Sequence, residues 1–284
     1  MEKRYTTVEL SSWQAYKHLV DSLSDNWVFR GQANSEWGLQ NAIERTDFIH
    51  LHKGIEREFV EEFQRGARNY LSKDQIPEHL IEWLALMQHH GAPTRLLDFT
   101  KSPFIAAFFG FEIADMWTEE KASIWALHLP SLRTKALTKL ADHYGDALKK
   151  DKGFVDEALF EKIFNDDSCS VVFPVEPFRM NRRYSLQQSI FISTGNATEP
   201  FMTQLDFMQS GMEQSVIKIE LASNKRKEVL RDLQRMNLNR ASLFPDLDGY
   251  AGALRLRYNS MRTPEEVLAD QLQKLGDNTY PFLP

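Results

Sequence analysis

Arginine, histidine, aspartate and glutamine crowd into three stretches of this chain. The first is Trp27-Val28-Phe29-Arg30-Gly31-Gln32. Arg30 ends an apolar run and is followed by a glycine that permits close backbone approach, an arrangement suited to gripping a phosphate or carboxylate with the guanidinium fork. The alternative use is an arginine that pins a loop through main-chain carbonyls. The second stretch is Met87-Gln88-His89-His90-Gly91-Ala92-Pro93-Thr94-Arg95-Leu96-Leu97-Asp98. Its two histidines end a predicted helix, where an imidazolium would favour the negative pole by about 0.3–1 kcal/mol. Neighbours on a helix point in different directions, so at most one of them faces a site. Arg95 and Asp98 are expected to pair beneath the His90 loop as Leu96-Leu97 turns inward. The third stretch, Arg182-Arg183-Tyr184-Ser185-Leu186-Gln187-Gln188-Ser189-Ile190-Phe191, passes from basic to amide to apolar. An amide buried there needs a ligand or main-chain partner, so Gln187 or Gln188 either serves a site or lies in an exposed loop.

Elements must position these side chains. Apolar residues at helical spacing predict helices over residues 8–23, 54–71 and 78–89, the last stopped by Gly91-Ala92-Pro93. Residues 27–29 read as a short strand carrying Arg30-Gly31-Gln32 at its end. Ser102 is expected to cap a nearly all-apolar helix that opens on Pro103 and runs to about residue 117. Short apolar runs over 123–129, 170–175, 189–193 and 216–221 have strand character. Helices are expected again over 225–236, 249–256 and 264–275. Helices first, strands in the middle and no regular alternation predict an α+β fold, with helices around a small central mixed sheet. No linker interrupts residues 1–284, read as a single domain with 135–165 as a helical insertion.

The chain has 284 residues with 42% hydrophobic content, enough to bury a full core. A net charge of −6 argues against broad capture of nucleic acid and leaves only local contact. One cysteine, Cys169, permits no internal disulfide and fits a reducing compartment. With no signal-like start and no run long enough to span a bilayer, a cytoplasmic protein without membrane contact is expected. The sequence lacks GxGxxG, GxxxxGK[ST], HExxH and GxSxG. Asp98, Glu78 and Glu82 show no ligand spacing around the histidines, so no metal is expected.

Four segments in this order, Phe29-Arg30-Gly31, Gln88 through Asp98, Arg183 through Phe191, and Leu243-Phe244-Pro245-Asp246-Leu247, resemble the FRG domain family. Ser189 stands where glycine is expected, and Ala92 where a bulkier apolar residue is usual. The family occurs largely in bacteria and phages, which implies a role in defence or conflict. It is more distantly similar to ADP-ribosyltransferases, many of which begin with an aromatic-Arg-Gly strand whose arginine holds NAD. DNA-directed members carry a glutamate at the position matching Gln187, and this departure favours binding without turnover.

The resemblance implies an NAD-using ADP-ribosyltransferase or NAD glycohydrolase, possessing an ADP-ribosyltransferase-like fold. Arg30, with Gly31 and Gln32, would take the pyrophosphate, and Arg95 and Arg183 would support it. Phe191 or Tyr184 would pack on nicotinamide, and Gln187 or Asp98 would accept from ribose hydroxyls. His90 would orient a ribose or act as base, with Glu199 and Glu213 in reserve. The acceptor would be a nucleic acid or protein. The competing reading is a non-catalytic module that senses a nucleotide or RNA end through Arg30, Arg95 and Arg183. A metal-dependent nuclease ranks third.

Overall fold

A computed structural model describes residues 5–46, 52–114, 120–145, 155–179, 181–209 and 215–259. The helix expected over 264–275, residues 115–117 and Glu213 lie outside these residues; the helix expected to reach about 117 already ends at Glu112, within them. In chain order the strands are β1 (Thr6–Leu10), β2 (Trp27–Gln32), β3 (Leu96–Thr100), β4 (Lys121–His128), β5 (Val172–Val175), β6 (Ser189–Thr194) and β7 (Val216–Ala222). They form one mixed sheet in the order β1-β7-β4-β2-β3-β6-β5, in which only β1 and β7 pair in parallel. The helices are α1 (Trp13–Ser22), α2 (Ala42–Arg45), α3 (Ile55–Ala67), α4 (Leu80–His89), α5 (Pro103–Glu112), α6 (Leu129–Tyr144), α7 (Glu157–Asp166), α8 (Arg182–Leu186), α9 (Phe201–Gln204), α10 (Arg226–Arg235), α11 (Arg240–Leu243) and α12 (Leu247–Asn259). The chain is thus α+β, with helices around a central mixed sheet.

Two expectations are corrected. Residues 8–23 are not one helix. Thr6–Leu10 is a strand beside β7, and α1 starts only after Ser12, whose side chain accepts from Ala15 N at 3.1 Å. Leu96–Thr100, where no strand was expected, is one, because β6 supplies it with a full antiparallel partner from Leu96↔Ser193 to Thr100↔Ser189. The Ser102 cap forms as expected, accepting from Ile105 N at 3.3 Å.

Strand alternation divides the core. On one face, Phe29, Ile124, Ala126 and Ile219 pack with α1, α5 and α10. Further across the same face, Leu96, Phe173 and Phe191 pack with α3, α4 and α7. On the opposite face a single cluster, including Val28, Phe99, Trp125 and Ile190, runs beneath both halves. One side of the sheet is therefore covered continuously and the other by two separate groups of helices. Between those groups β2 and β3 share the single registered pair Phe29↔Thr100, whereas β2 pairs with β4 along its whole length.

Gly31 sits at this divide. A Cβ there would strike the main chain of Ala106 and Gly110, so α5 lies directly on β2. Backbone cannot swing aside as a flexible side chain can. We expect Gly31→Ala to destabilise the fold by at least about 3 kcal/mol, the upper end for overpacking. Urea denaturation measures this, and a loss below about 1 kcal/mol would show that α5 moves freely off the strand.

Candidate functional site

Past the pair Phe29↔Thr100, β2 and β3 separate, and the side chain of Arg30 enters the opening. By alternation Arg30 sets out on the Val28 face. Its guanidinium instead lies in the seam, where Nη1 donates to the Asp98 carbonyl at 2.7 Å. Both readings of this arginine are thus realised: it pins a main-chain carbonyl and it lines a cleft of about 420 Å³. Burial lowers its pKa, with Asp98 opposing and Arg45 reinforcing the shift.

The cleft is walled by β2 and β3, by the end of α4, by α5 and α8, and by the segment from α11 to Phe244. Asp98 extends into it from β3. Gln88 Nε2 donates to Asp98 Oδ2 at 2.6 Å, and Thr94 Oγ1 donates to Gln88 Oε1 at 2.7 Å. This relay fixes the carboxylate through one oxygen. From α8, capped by Asn181 accepting from Tyr184 N at 2.8 Å, Arg183 places its guanidinium 4.4 Å from the centre of the Phe244 ring. Arg240 lies 4.6 Å from the same ring and is paired with the buried Glu112.

The two histidines divide as their helical offset requires. His89 lines the cleft, while His90 lines a separate, mainly apolar groove of about 710 Å³ between α3 and α4. The helix stops there because Gly91, at φ +86°, turns the chain left-handed. Burial, then Arg183 and His90, lower the pKa of His89 against the pull of Asp246. Its ring is therefore neutral at pH 7.

Three nitrogens on this cleft, Arg30 Nε, Arg183 Nε and His89 Nδ1, are buried with no hydrogen-bond partner among the described residues. Leaving such a group unsatisfied costs about 1–3 kcal/mol, so their convergence at one cleft marks a place for an acceptor-rich ligand.

Gly31, Asp98, Arg183 and Gln187 line the cleft with Arg30. Gln187 is already engaged: its Nε2 donates to the Leu243 carbonyl at 3.1 Å and its own carbonyl accepts from Thr100 Oγ1 at 2.7 Å. Gln32 is outside the cleft, donating to the Gly38 carbonyl at 3.0 Å and accepting from Trp125 Nε1 at 2.7 Å. Phe191 is core, covered by Tyr184 at 5.2 Å, whose hydroxyl is spent on the Ala85 carbonyl at 2.6 Å. Glu199 does not line the cleft either.

Arg95 requires a correction. It does not pair with Asp98 but with Glu56: main-chain N donates to Oε1 at 2.7 Å and Nε to Oε2 at 2.5 Å, while Asp167 approaches Nη2 at 3.2 Å. Adjacent strand residues face opposite ways, yet Arg95 precedes the first strand residue and turns toward α3, away from Asp98. The residues missed by the sequence reading are His89, Glu112, Arg240 and Phe244. Glu112 left a signal, as an acid inside an apolar helix needs a partner.

The mixed sheet with a polar cleft at its divide defines a class, an α+β domain with an arginine-lined cleft at the seam of its sheet. Residues 25–119 match the family model of the FRG domain, and an FRG domain is thus present in this chain. No curated protein and no solved structure matches it. Among the described residues no helix is long and apolar enough to cross a membrane, and no group of three or more His, Cys, Asp or Glu could hold a metal ion.

Removing Arg95 would leave Glu56, 1% exposed, and Asp167 as buried acids without their shared cation. Arg95→Ala should cost about 3–5 kcal/mol in urea denaturation. Asp98→Ala should cost under about 1 kcal/mol, because its carboxylate faces the cleft. The reverse ranking would return Asp98 to a structural role.

His89 adds a pH dependence. Its folded pKa lies below the unfolded value of about 6.5, so the unfolded chain takes the proton first. The neutral ring costs nothing above that pH, and stability falls as pH drops through it. His89→Gln should therefore lose less stability than the wild type between pH 7.5 and pH 5.5; equal losses would show that His89 titrates freely.

Proposed function

We propose that the cleft is a nucleotide site that takes NAD as substrate and transfers or hydrolyses its ADP-ribose part. The observation that carries this reading is the meeting of unsatisfied cationic donors with one fixed carboxylate. Arg30 and Arg183 supply charge for the pyrophosphate. Asp98, held by Gln88 through Oδ2, keeps Oδ1 for the ribose side of the ligand.

Cleaving the nicotinamide bond sends its electron pair out with the neutral leaving group and leaves positive charge spread over C1′ and the ring oxygen of ribose. A fixed carboxylate stabilises that charge as it develops. Water or an acceptor oxygen then bonds to C1′, and its proton passes to Asp98 or to neutral His89. The acceptor is proposed to be a nucleic acid or protein, and the setting bacterial or phage conflict. No metal enters this scheme.

A second reading, nucleotide sensing without turnover, is favoured by one specific observation. The other polar groups around Asp98 are occupied: the Gln187 amide holds the Leu243 carbonyl, and Glu112 is held by Arg240.

The two readings separate on incubation with NAD and measurement of free nicotinamide. Arg30→Ala should lose both NAD binding and nicotinamide release and still fold, with a loss of about 1–3 kcal/mol from the Asp98 carbonyl left without its donor. Asp98→Asn should retain NAD binding and reduce release on the order of 10²–10³-fold. Saturable NAD binding without release would establish the sensor, and no binding at millimolar NAD would overturn both NAD readings.

A further inference from the structure

We propose that the cleft is built for a diphosphate, with Arg30 holding one phosphate group and Arg183 the other. The inference rests on the nucleotide reading above and deepens it by assigning each phosphate group to its own arginine and by making the diphosphate, rather than a single phosphate, the unit that is recognised.

Arg30 and Arg183 enter from different elements and are held in different ways. Arg30 is fixed by one edge, Nη1 on the Asp98 carbonyl, in the seam of the sheet. Arg183 is fixed by its flat face against Phe244. Stacking uses the π surface of a guanidinium and leaves its N–H groups free in the ring plane. Each arginine retains a buried Nε that donates to no described residue. A ligand that satisfied one of them would leave the other desolvated and unpaired, so two linked anionic groups fit this cleft better than one.

The third arginine does not change this count. Arg240 stacks on the same ring but is neutralised by Glu112, which leaves Arg30 and Arg183 as the cations with open donors. Asp98 opposes further negative charge next to Arg30, so the diphosphate must be flanked on that side by a group that donates hydrogen bonds, as a ribose hydroxyl does. Arg183 and Phe244 also lie beyond residues 25–119, so the second anchor comes from outside the segment matched by the FRG family model.

Calorimetric titration of the full chain with orthophosphate, pyrophosphate, AMP and ADP tests this. Pyrophosphate should bind at least about tenfold more tightly than orthophosphate, the difference expected from one added charge-assisted contact. Arg183→Gln and Arg30→Gln should each bring pyrophosphate down to the orthophosphate level. If Arg183→Gln lowers the melting temperature, Arg183→Lys, which retains charge but lacks Nε and the flat face, should bind pyrophosphate with intermediate affinity. ADP exceeding both AMP and pyrophosphate identifies a nucleoside diphosphate as the source, whereas ADP equal to pyrophosphate identifies the inorganic group; either result supports the diphosphate.

Equal affinity for orthophosphate and pyrophosphate, or an unchanged pyrophosphate affinity in a folded Arg183→Gln, would overturn it. A diphosphate preference without nicotinamide release sinks the NAD reaction and leaves this inference standing. Nicotinamide release without a diphosphate preference does the reverse.

Discussion

The polar cleft of this molecule is arranged around the parting of β2 from β3. Two strands in a sheet ordinarily satisfy each other's backbone groups along their length. Here they share only Phe29↔Thr100, and the Asp98 carbonyl on the open side takes its hydrogen bond from a side chain, Arg30 Nη1, at 2.7 Å. One guanidinium thus replaces a ladder contact and stands inside the opening it maintains. Gly31 makes the geometry possible, since only a residue without Cβ lets α5 lie against the strand at this point.

A seam in a sheet would be a weakness unless something else joined the two parts. The continuous apolar cluster on the opposite face does so, with Val28 and Trp125 from one part and Phe99 and Ile190 from the other. The buried Arg95–Glu56 pair joins the start of β3 to α3, and Thr94 joins it to the end of α4 through Gln88. Removing one partner of such a pair strands a buried charge, which is why the anchoring is stiff even where its net contribution to stability is small. Asp98 inherits that stiffness from both sides.

Sequence patterns disclosed the elements whose period is local. The short apolar runs of β4, β6 and β7, and the Ser102-Pro103 start of α5, were legible because the cause lies within a few residues. β1 was not, because Val8 and Leu10 continue in phase with Trp13 and Tyr16, and the strand exists only through its parallel partner β7 far along the chain. β3 was hidden by Asp98, a charge in the middle of an apolar run, which is the residue that makes the strand useful. In the site, clustering of costly residues pointed to Arg30, Asp98 and Arg183. It favoured His90 for the site, whereas His89 lines the cleft, because which histidine faces it depends on where α8 packs. Arg240 and Phe244 were invisible as site residues, because nothing local distinguishes an arginine that stacks in a cleft from one on a solvated helix.

The wall contributed by Phe244 explains why a long stretch after the family-matched segment is needed at all. Residues 25–119 supply Arg30, His89, Asp98 and Glu112, but the opposite side of the cleft comes from α8 and from the segment after α11. Those two are tied to each other by Gln187 Nε2 on the Leu243 carbonyl and by Arg183 on the Phe244 ring, and to β3 by Thr100 Oγ1 on the Gln187 carbonyl. Gln187 therefore acts as a fastener between both walls rather than as a group presented to a ligand. A glutamate there would lose its donor to the Leu243 carbonyl and set a buried negative charge against a carbonyl oxygen, so the amide suits the wall for the same reason that it is poorly suited to chemistry.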